Sequence, residues 1–340
     1  MDLIIKPTQK CNFCCDFCSS YLITKNRNNV LDINLIYRFL DRYPYTDTII
    51  VNGGDPLMMP PDYYFQILEY IEKNNLPTKL SFTTNLWDYY LHPEKWKGLF
   101  SHEKVFVATS FQYGNKRKIS KNTVFTEDVF LQIQHKFYND FGYHPSFISV
   151  IDEENSDKCI DLVLLAKTLN TTVKLNPALQ SGRQTIFFPL YKMYEIYLKI
   201  FQMNLGQYED NCFQLVQHFK FGTSTCPLLR NCDFHIRTLS PNGRYSSCGS
   251  FDDDTILSTN PTEIDFNEEM AGHLQTPLQY NKTLLSLKED CFSCKNFEVC
   301  NSCRKHIHDF KLVGKFTIEE HCKNMKQIME AIYEYIRNYK

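Results

Sequence analysis

Six short apolar runs of strand character alternate with helical patterns over the first half of the chain. The runs cover residues 3–6, 48–51, 79–82, 105–109, 147–151 and 172–175. Helical periodicity fills residues 33–43, 62–73, 126–137 and 156–169, and more weakly 92–99. Parallel strands need a long crossover, usually a helix. Alternation at this spacing therefore predicts an α/β fold of βα units around a parallel sheet. Six repeats suit an incomplete (β/α) barrel better than an open doubly wound sheet, although periodicity alone leaves both open. In a barrel, chemistry collects at the C-terminal strand ends.

The 340-residue chain has room for a second, smaller domain. From about Gly182 the alternation stops. A helical stretch over 190–205 leads into a cysteine-rich region from Cys226 to Cys322, and a last amphipathic helix is predicted over 323–338. That region has few long apolar runs, so metal is expected to hold it together more than a core does. The formal net charge is −2 and no long basic run occurs, which argues against a nucleic-acid partner. No apolar run reaches membrane-spanning length and no secretory signal pattern opens the chain, so a cytoplasmic location is expected. There, fourteen cysteines point to metal or catalysis ahead of disulfides.

Three of them, Cys11, Cys15 and Cys18, follow the first strand run in a C-x3-C-x2-C spacing, with Phe17 before the last. Three thiolates hold three corners of a [4Fe–4S] cubane and leave one iron open, since a full set is four; zinc is the other metal such spacing suits. The second run ends in Asn52-Gly53-Gly54-Asp55-Pro56, the third in Thr84-Asn85, the fourth in Ser110 and the sixth in Asn176-Pro177. Two glycines let backbone approach a ligand or simply form a tight turn. The polar strand ends are ligand contacts or helix caps. Asp152, Glu153 and Glu154 follow the fifth run, as a solvated loop or as acids at the barrel mouth.

These motifs resemble the radical SAM superfamily, whose C-x3-C-x-aromatic-C signature lies after the first strand of a partial (β/α)6 barrel. The resemblance implies a cluster on Cys11, Cys15 and Cys18 that chelates S-adenosylmethionine. It further implies cofactor contacts from Phe17, Gly53, Gly54, Asp55, Pro56, Thr84, Asn85, Ser110 and Asn176. The family more often has Glu where this chain has Asp55. The later spacing, Cys232-x10-Gly243-x4-Cys248, then Cys291-x2-Cys294-x5-Cys300-x2-Cys303 and Cys322, resembles a SPASM domain. This implies two auxiliary [4Fe–4S] clusters, three in all. Cys226, Cys232, Cys248 and Cys303 would hold the inner one; Cys291, Cys294, Cys300 and Cys322 the outer. The last short spacing is one residue tighter than the family's, so His306 or His308 stands as a substitute for Cys303. Read from residues alone, the two Cys-x2-Cys pairs also suit a zinc ribbon.

The resemblance implies a division into a barrel (1–185), a helical linker (186–222), a SPASM domain (223–325) and a C-terminal helix (326–340). It implies reductive cleavage of S-adenosylmethionine to a 5′-deoxyadenosyl radical that takes hydrogen from a substrate. The substrate is expected to be a peptide or protein, with a small molecule or nucleotide as the alternative. The alternative from another class is a non-catalytic iron–sulfur or zinc module. Flavodoxin or ferredoxin is the implied electron donor. Ten residues precede Cys11 and eighteen follow Cys322, too few for a winged-helix leader-binding extension, which leaves open a separate leader-peptide-binding protein as partner, a leaderless protein substrate, or a small molecule or nucleotide. Asp152 is the candidate proton acceptor. Sulfatase maturases carry Asp directly after the cysteine that matches Cys248; here it is Gly249, which argues against formylglycine formation.

Overall fold

The computed structural model describes residues 1–18, 29–179, 187–222, 232–252, 260–276, 294–296, 305, 309 and 318–338. Its centre is a sheet of six parallel strands linked mostly by helices. In chain order these are β1 (Asp2–Ile5), α1 (Ile33–Arg42), β2 (Thr48–Val51), α2 (Pro61–Lys73), β3 (Lys79–Thr83), α3 (Trp87–Leu91), α4 (Pro93–Phe100) and β4 (Val105–Ser110). A hairpin, β5 (Lys118–Ser120) and β6 (Thr123–Val124), intervenes before α5 (Glu127–Phe141), β7 (Ser146–Ile151), α6 (Cys159–Thr168) and β8 (Val173–Pro177). The strands lie in the order β1-β2-β3-β4-β7-β8, every neighbouring pair parallel. The expected partial (β/α)6 barrel is the architecture found, with a cysteine-rich region after it.

Local chemistry sets the element ends. Asp32 caps α1 by accepting the Asn34 N–H. Proline opens α2 and α4, where its missing N–H costs nothing. Gly142 ends α5 at φ 80°. The weak helical signal at 92–99 is α4, preceded by the short α3, because His92 leaves helical geometry and Pro93 starts a new helix. The signal at 156–169 opens with a 3-10 turn, Ser156–Lys158, before α6.

Burial alternates along the strands with period two. Leu80 and Phe82 of β3, Val105 and Val107 of β4 and Phe147 and Ile151 of β7 are buried. Phe82 packs edge-on against Tyr64 of α2 and Phe100 of α4, and Phe147 against Phe130 of α5. The residues between them, Ser81, Thr83, Ala108, Ser110, Ile148, Val150 and Asn176, are half-buried on the opposite face. This half-buried face, away from the helices, is the inner face of the barrel.

Two helices follow the sheet, α7 (Leu190–Gln202) and α8 (Asp210–Phe221). The chain then forms α9 (Cys232–His235), β9 (Ile236–Leu239), β10 (Tyr245–Ser246), α10 (Gly249–Asp252), α11 (Phe266–Met270) and α12 (Ile318–Asn338). The last helix begins earlier than periodicity predicted, with Glu319 and Glu320 in its first turn. Its apolar stripe, Met325, Met329, Ile332 and Ile336, is buried. Tyr335 of α12 packs against Phe201 of α7 and Tyr333 stacks on Phe219 of α8. Among the described residues no helix is long and apolar enough to cross a membrane.

β9 was not legible as a strand. It pairs in parallel with β1, Asp2 opposite Ile236 through Ile5 opposite Leu239, and β10 pairs antiparallel with β9. The cysteine-rich region therefore adds two strands to the barrel sheet. Behind them lies a buried ion pair, Arg237 Nε to Glu269 Oε1 at 2.7 Å. Tyr43 at the end of α1 and Tyr245 of β10 both donate to Glu269 Oε1, at 2.9 and 2.8 Å. This network joins barrel, hairpin and α11. Glu269→Ala leaves a buried guanidinium without its carboxylate, at a cost of about 3–5 kcal/mol. A large drop in thermal midpoint is expected, and an unchanged midpoint would show that the network carries no stability.

Candidate active site

The loop after β1 carries Cys11, Cys15 and Cys18, all half-buried. Two neighbouring segments clamp it. On one side lies the 52–55 turn after β2: Gly54 donates its N–H to the Thr8 carbonyl at 3.0 Å, and Asp55 to the Lys10 carbonyl at 2.8 Å. On the other lies a three-residue strap, Lys116-Arg117-Lys118, leading into the β5–β6 hairpin. Cys14 N–H donates to the Lys118 carbonyl at 2.9 Å, and Asp16 N–H to the Lys116 carbonyl at 2.8 Å. Phe13 anchors the loop among Phe125 and Trp87, at ring separations of 5.1 and 6.2 Å.

The two glycines have a sharper structural reason than ligand approach. A Cβ on Gly54 would sit 2.1 Å from the Lys10 carbonyl oxygen and 2.5 Å from that of Gln9. Gly53 takes φ +124°, and a Cβ there would lie 2.6 Å from the Thr8 oxygen. The close approach that forbids side chains is made by the chain's own cysteine loop.

Asp55 is buried, and its carboxylate is spent on the fold. It accepts from Leu57 N–H at 2.9 Å, Thr84 Oγ1 at 3.0 Å and Asn85 N–H at 2.8 Å. It thereby caps the short 3-10 turn Pro56–Met58 and ties the β2 turn to the β3 turn. Burial pushes its pKa up to about 6 against the pull of those donors. Pro56 opens that turn, and its carbonyl accepts from Tyr64 Oη at 2.7 Å. Asn85 reaches back to the loop, donating through Nδ2 to Asn12 Oδ1 at 2.7 Å and lying 4.0 Å from Cys11 Sγ. Burial, then the Asp55 charge, raises the Cys11 pKa far above the ordinary thiol value. A metal deprotonates such a thiol as it binds.

The strap, three consecutive cations, was not singled out in the sequence. Its outer residues pair with acids, Lys118 with Asp16 and Lys116 with Asp152, both at 2.6 Å. Arg117 points inward. It is 6% exposed, its Nη1 donates to Ser110 Oγ at 2.9 Å, and its guanidinium carbon lies 5.1 Å from the Phe17 ring centroid. Burial pulls its pKa below the usual guanidinium value, while charge on Cys15, Cys11 and Cys18 pulls the other way.

Asp152 lies one residue beyond β7 and is buried, whereas Glu153 and Glu154 after it are exposed. The acidic run is therefore not one solvated loop. Asp152 accepts from Glu154 N–H at 2.9 Å as well as from Lys116. Asn176 is on the inner face of β8, opposite Val150. Cys232 and Cys248 flank the β9–β10 hairpin at its open end, and both are half-buried, as are Cys294 and Cys322. Cys226, Cys291, Cys300, Cys303, His306 and His308 lie outside the described residues. Gly249 packs on Thr238 and Ile4, and its carbonyl accepts from Lys6 Nζ at 3.3 Å. Among the described residues no three His, Cys, Asp or Glu side chains converge as they would round a single ion. A cubane takes each thiolate on a separate iron, and a loop of three half-buried thiols beside a buried guanidinium fits it.

The radical SAM superfamily model matches residues 5–165. A comparison with curated proteins finds no match. Among solved structures, native anSMEcpe with bound AdoMet aligns with TM-score 0.69 at 16% identity, covering 99% of this chain and 98% of that one. Native anSMEcpe with AdoMet and the Cp18Cys peptide aligns at 0.70 and 15%, over 99% and 98%. Streptococcus suis SuiB bound to its precursor peptide SuiA aligns at 0.59 and 15%, over 88% and 70%. At these identities the likeness is one of fold.

Two outcomes follow from this geometry. Gly54→Ala drives a Cβ into loop backbone and should displace the cysteine loop. It should lower the thermal midpoint and the iron retained after reconstitution. Gly98→Ala is the control: it sits in α4 with only Phe65 at 3.8 Å, and should stabilise by up to about 1 kcal/mol. Wild-type iron retention in Gly54→Ala would refute the clamp. Asp55 also predicts a pH dependence. Its folded pKa of about 6 lies above the unfolded value, so the folded chain binds the extra proton between roughly pH 4 and 6. Its contribution to stability is therefore fully present below that window and is lost as pH rises through it. Asp55→Asn should flatten that part of the stability profile while lowering stability overall. A wild-type slope in the variant would remove Asp55 as the source.

Proposed function

We propose that this chain, which carries a radical SAM domain over residues 5–165, binds S-adenosylmethionine at the C-terminal strand ends and uses it to take hydrogen from a peptide or protein. The carrying observation is the clamped loop: three half-buried thiols held by backbone bonds between the 52–55 turn and the 116–118 strap. Cys11, Cys15 and Cys18 would hold a [4Fe–4S] cluster, which would supply the electron for reductive cleavage of the sulfonium to methionine and a 5′-deoxyadenosyl radical, with a flavodoxin or ferredoxin as its donor.

The chain's own residues hold and shield that chemistry. Phe13 and Phe125 pack together against the loop, and Phe17 lies against the Arg117 guanidinium. Ser110, Thr83 and Asn176 offer polar groups on the inner face of the barrel, where S-adenosylmethionine would lie. Asp152, with Lys116 as its counter-ion, is the candidate proton acceptor at the end of β7. Cys232, Cys248, Cys294 and Cys322 are proposed as auxiliary-cluster ligands within a SPASM domain over 223–325, together with Cys226, Cys291, Cys300 and Cys303. The peptide reading draws support from anSMEcpe and SuiB, both solved with peptides. A separate leader-binding protein is the proposed partner for such a substrate. Gly249 leaves a Cβ only 3.3 Å from Thr238 Oγ1, so an acid is not accommodated there without a shift, and formylglycine formation is expected to be absent or very slow.

Anaerobic reconstitution tests the reading. The chain should take up about twelve irons and twelve sulfides, roughly four of each per cubane. With dithionite and S-adenosylmethionine it should release 5′-deoxyadenosine. Cys15→Ala should abolish that release, whereas Cys294→Ala should keep part of it. Tightly bound zinc without labile sulfide, or full cleavage in Cys15→Ala, would sink the proposal.

A further inference from the structure

The outer strap residues have carboxylate partners, and among the described residues the one between them has none. Lys118 takes Asp16 and Lys116 takes Asp152. Arg117 is the one turned inward, and among the described residues no carboxylate pairs with it. Its Nη1 rests on a neutral acceptor, Ser110 Oγ, and its buried Nε meets no acceptor among the described residues. Burying a guanidinium without an opposite charge is strongly unfavourable. The fold nevertheless fixes it from three sides: by the Ser110 bond, by the Phe17 ring beneath it, and by the backbone bonds that pin residues 116 and 118 to the cysteine loop. The three thiols of the loop to which the strap is pinned acquire negative charge on deprotonation, and that charge acts on the guanidinium.

We infer that Arg117 is a positioning residue for the cluster on Cys11, Cys15 and Cys18, its guanidinium supplying the buried positive charge that holds the cluster and raises its reduction potential. The inference rests on the cluster reading above. Reduction adds an electron to an already anionic group, and cluster potentials rise with nearby positive charge and with hydrogen bonds to sulfur. Ser110 then serves as the support that aims the guanidinium.

The test is a redox titration of the reconstituted full chain without S-adenosylmethionine, followed by electron paramagnetic resonance. The relevant signal is the one lost in Cys15→Ala. Arg117→Gln should shift its midpoint to a more negative potential, and Arg117→Lys, which keeps the charge, should stay close to wild type. An unshifted midpoint in Arg117→Gln at full occupancy overturns the inference; weakened binding of S-adenosylmethionine alongside it would assign the guanidinium to the ligand's carboxylate instead. Should Arg117→Gln fail to hold the cluster, iron retention under chelator decides. Retention by Arg117→Lys supports the charge role. Loss in both variants, with native circular dichroism, overturns it. A wild-type chain that forms no cubane fails the cluster reading itself, which is a separate result.

Discussion

The contact between Gly54 and the carbonyls of Gln9 and Lys10 is the constraint on which the site depends. No atom fits between the two backbones there, so the cysteine loop lies directly on the turn after β2. The hydrogen bonds from Gly54 and Asp55 to Thr8 and Lys10 fix its height. The turn is in turn stiffened by Asp55, whose carboxylate reaches Leu57, Thr84 and Asn85. A ligand bound by the loop would thus inherit its position from three strand ends at once. Such rigidity suits chemistry that needs reacting atoms held in near-contact.

Buried charge recurs wherever loops must be held without much apolar area. Asp55 ties β2 to β3. Glu209, buried before α8, accepts from Leu175 N–H of β8 at 3.0 Å and Cys212 N–H at 2.6 Å. Burial raises its pKa to about 7. Arg237 and Glu269 bind the hairpin to α1 and α11. In each case the polar atoms are met by several donors or acceptors, which is the condition under which burial of a charge is tolerable. Such pairs do not by themselves add much stability relative to an apolar core. Their directional bonds select one arrangement of loops over others of similar compactness.

The six strands could be read from the sequence because one face of each is buried under helices and the other is less buried, so hydrophobicity marks them. The cysteine loop and the 52–56 turn were legible from spacing. What was not legible depends on partners distant in sequence. Nothing local singles out Lys116, Arg117 and Lys118 until Asp16 and Asp152 are brought beside them. Asp152 looks like the first of three loop acids, yet it is buried where Glu153 and Glu154 are not. β9 has a charge at its second position, Arg237, and reads as no strand at all until Glu269 neutralises it. Asp55 kept its carboxylate in the place that the family resemblance suggested, but its bonds go to backbone and Thr84, a role that no local pattern announces.

β9 also answers a problem that an open barrel creates. Without it β1 would be an edge strand, offering unpaired backbone groups beside the cysteine loop. β9 takes that edge in register from Asp2 to Ile5, and the Lys6 N–H continues the ladder to the Leu239 carbonyl at 2.9 Å. The strand that covers the edge is the one that follows Cys232, and its hairpin partner leads to Cys248. The spacing between these cysteines and the N-terminal loop is therefore set by sheet register, which tolerates no intermediate slip, and not by the length of the segments that connect them. That separation is a rigid one. It follows here from ordinary strand pairing.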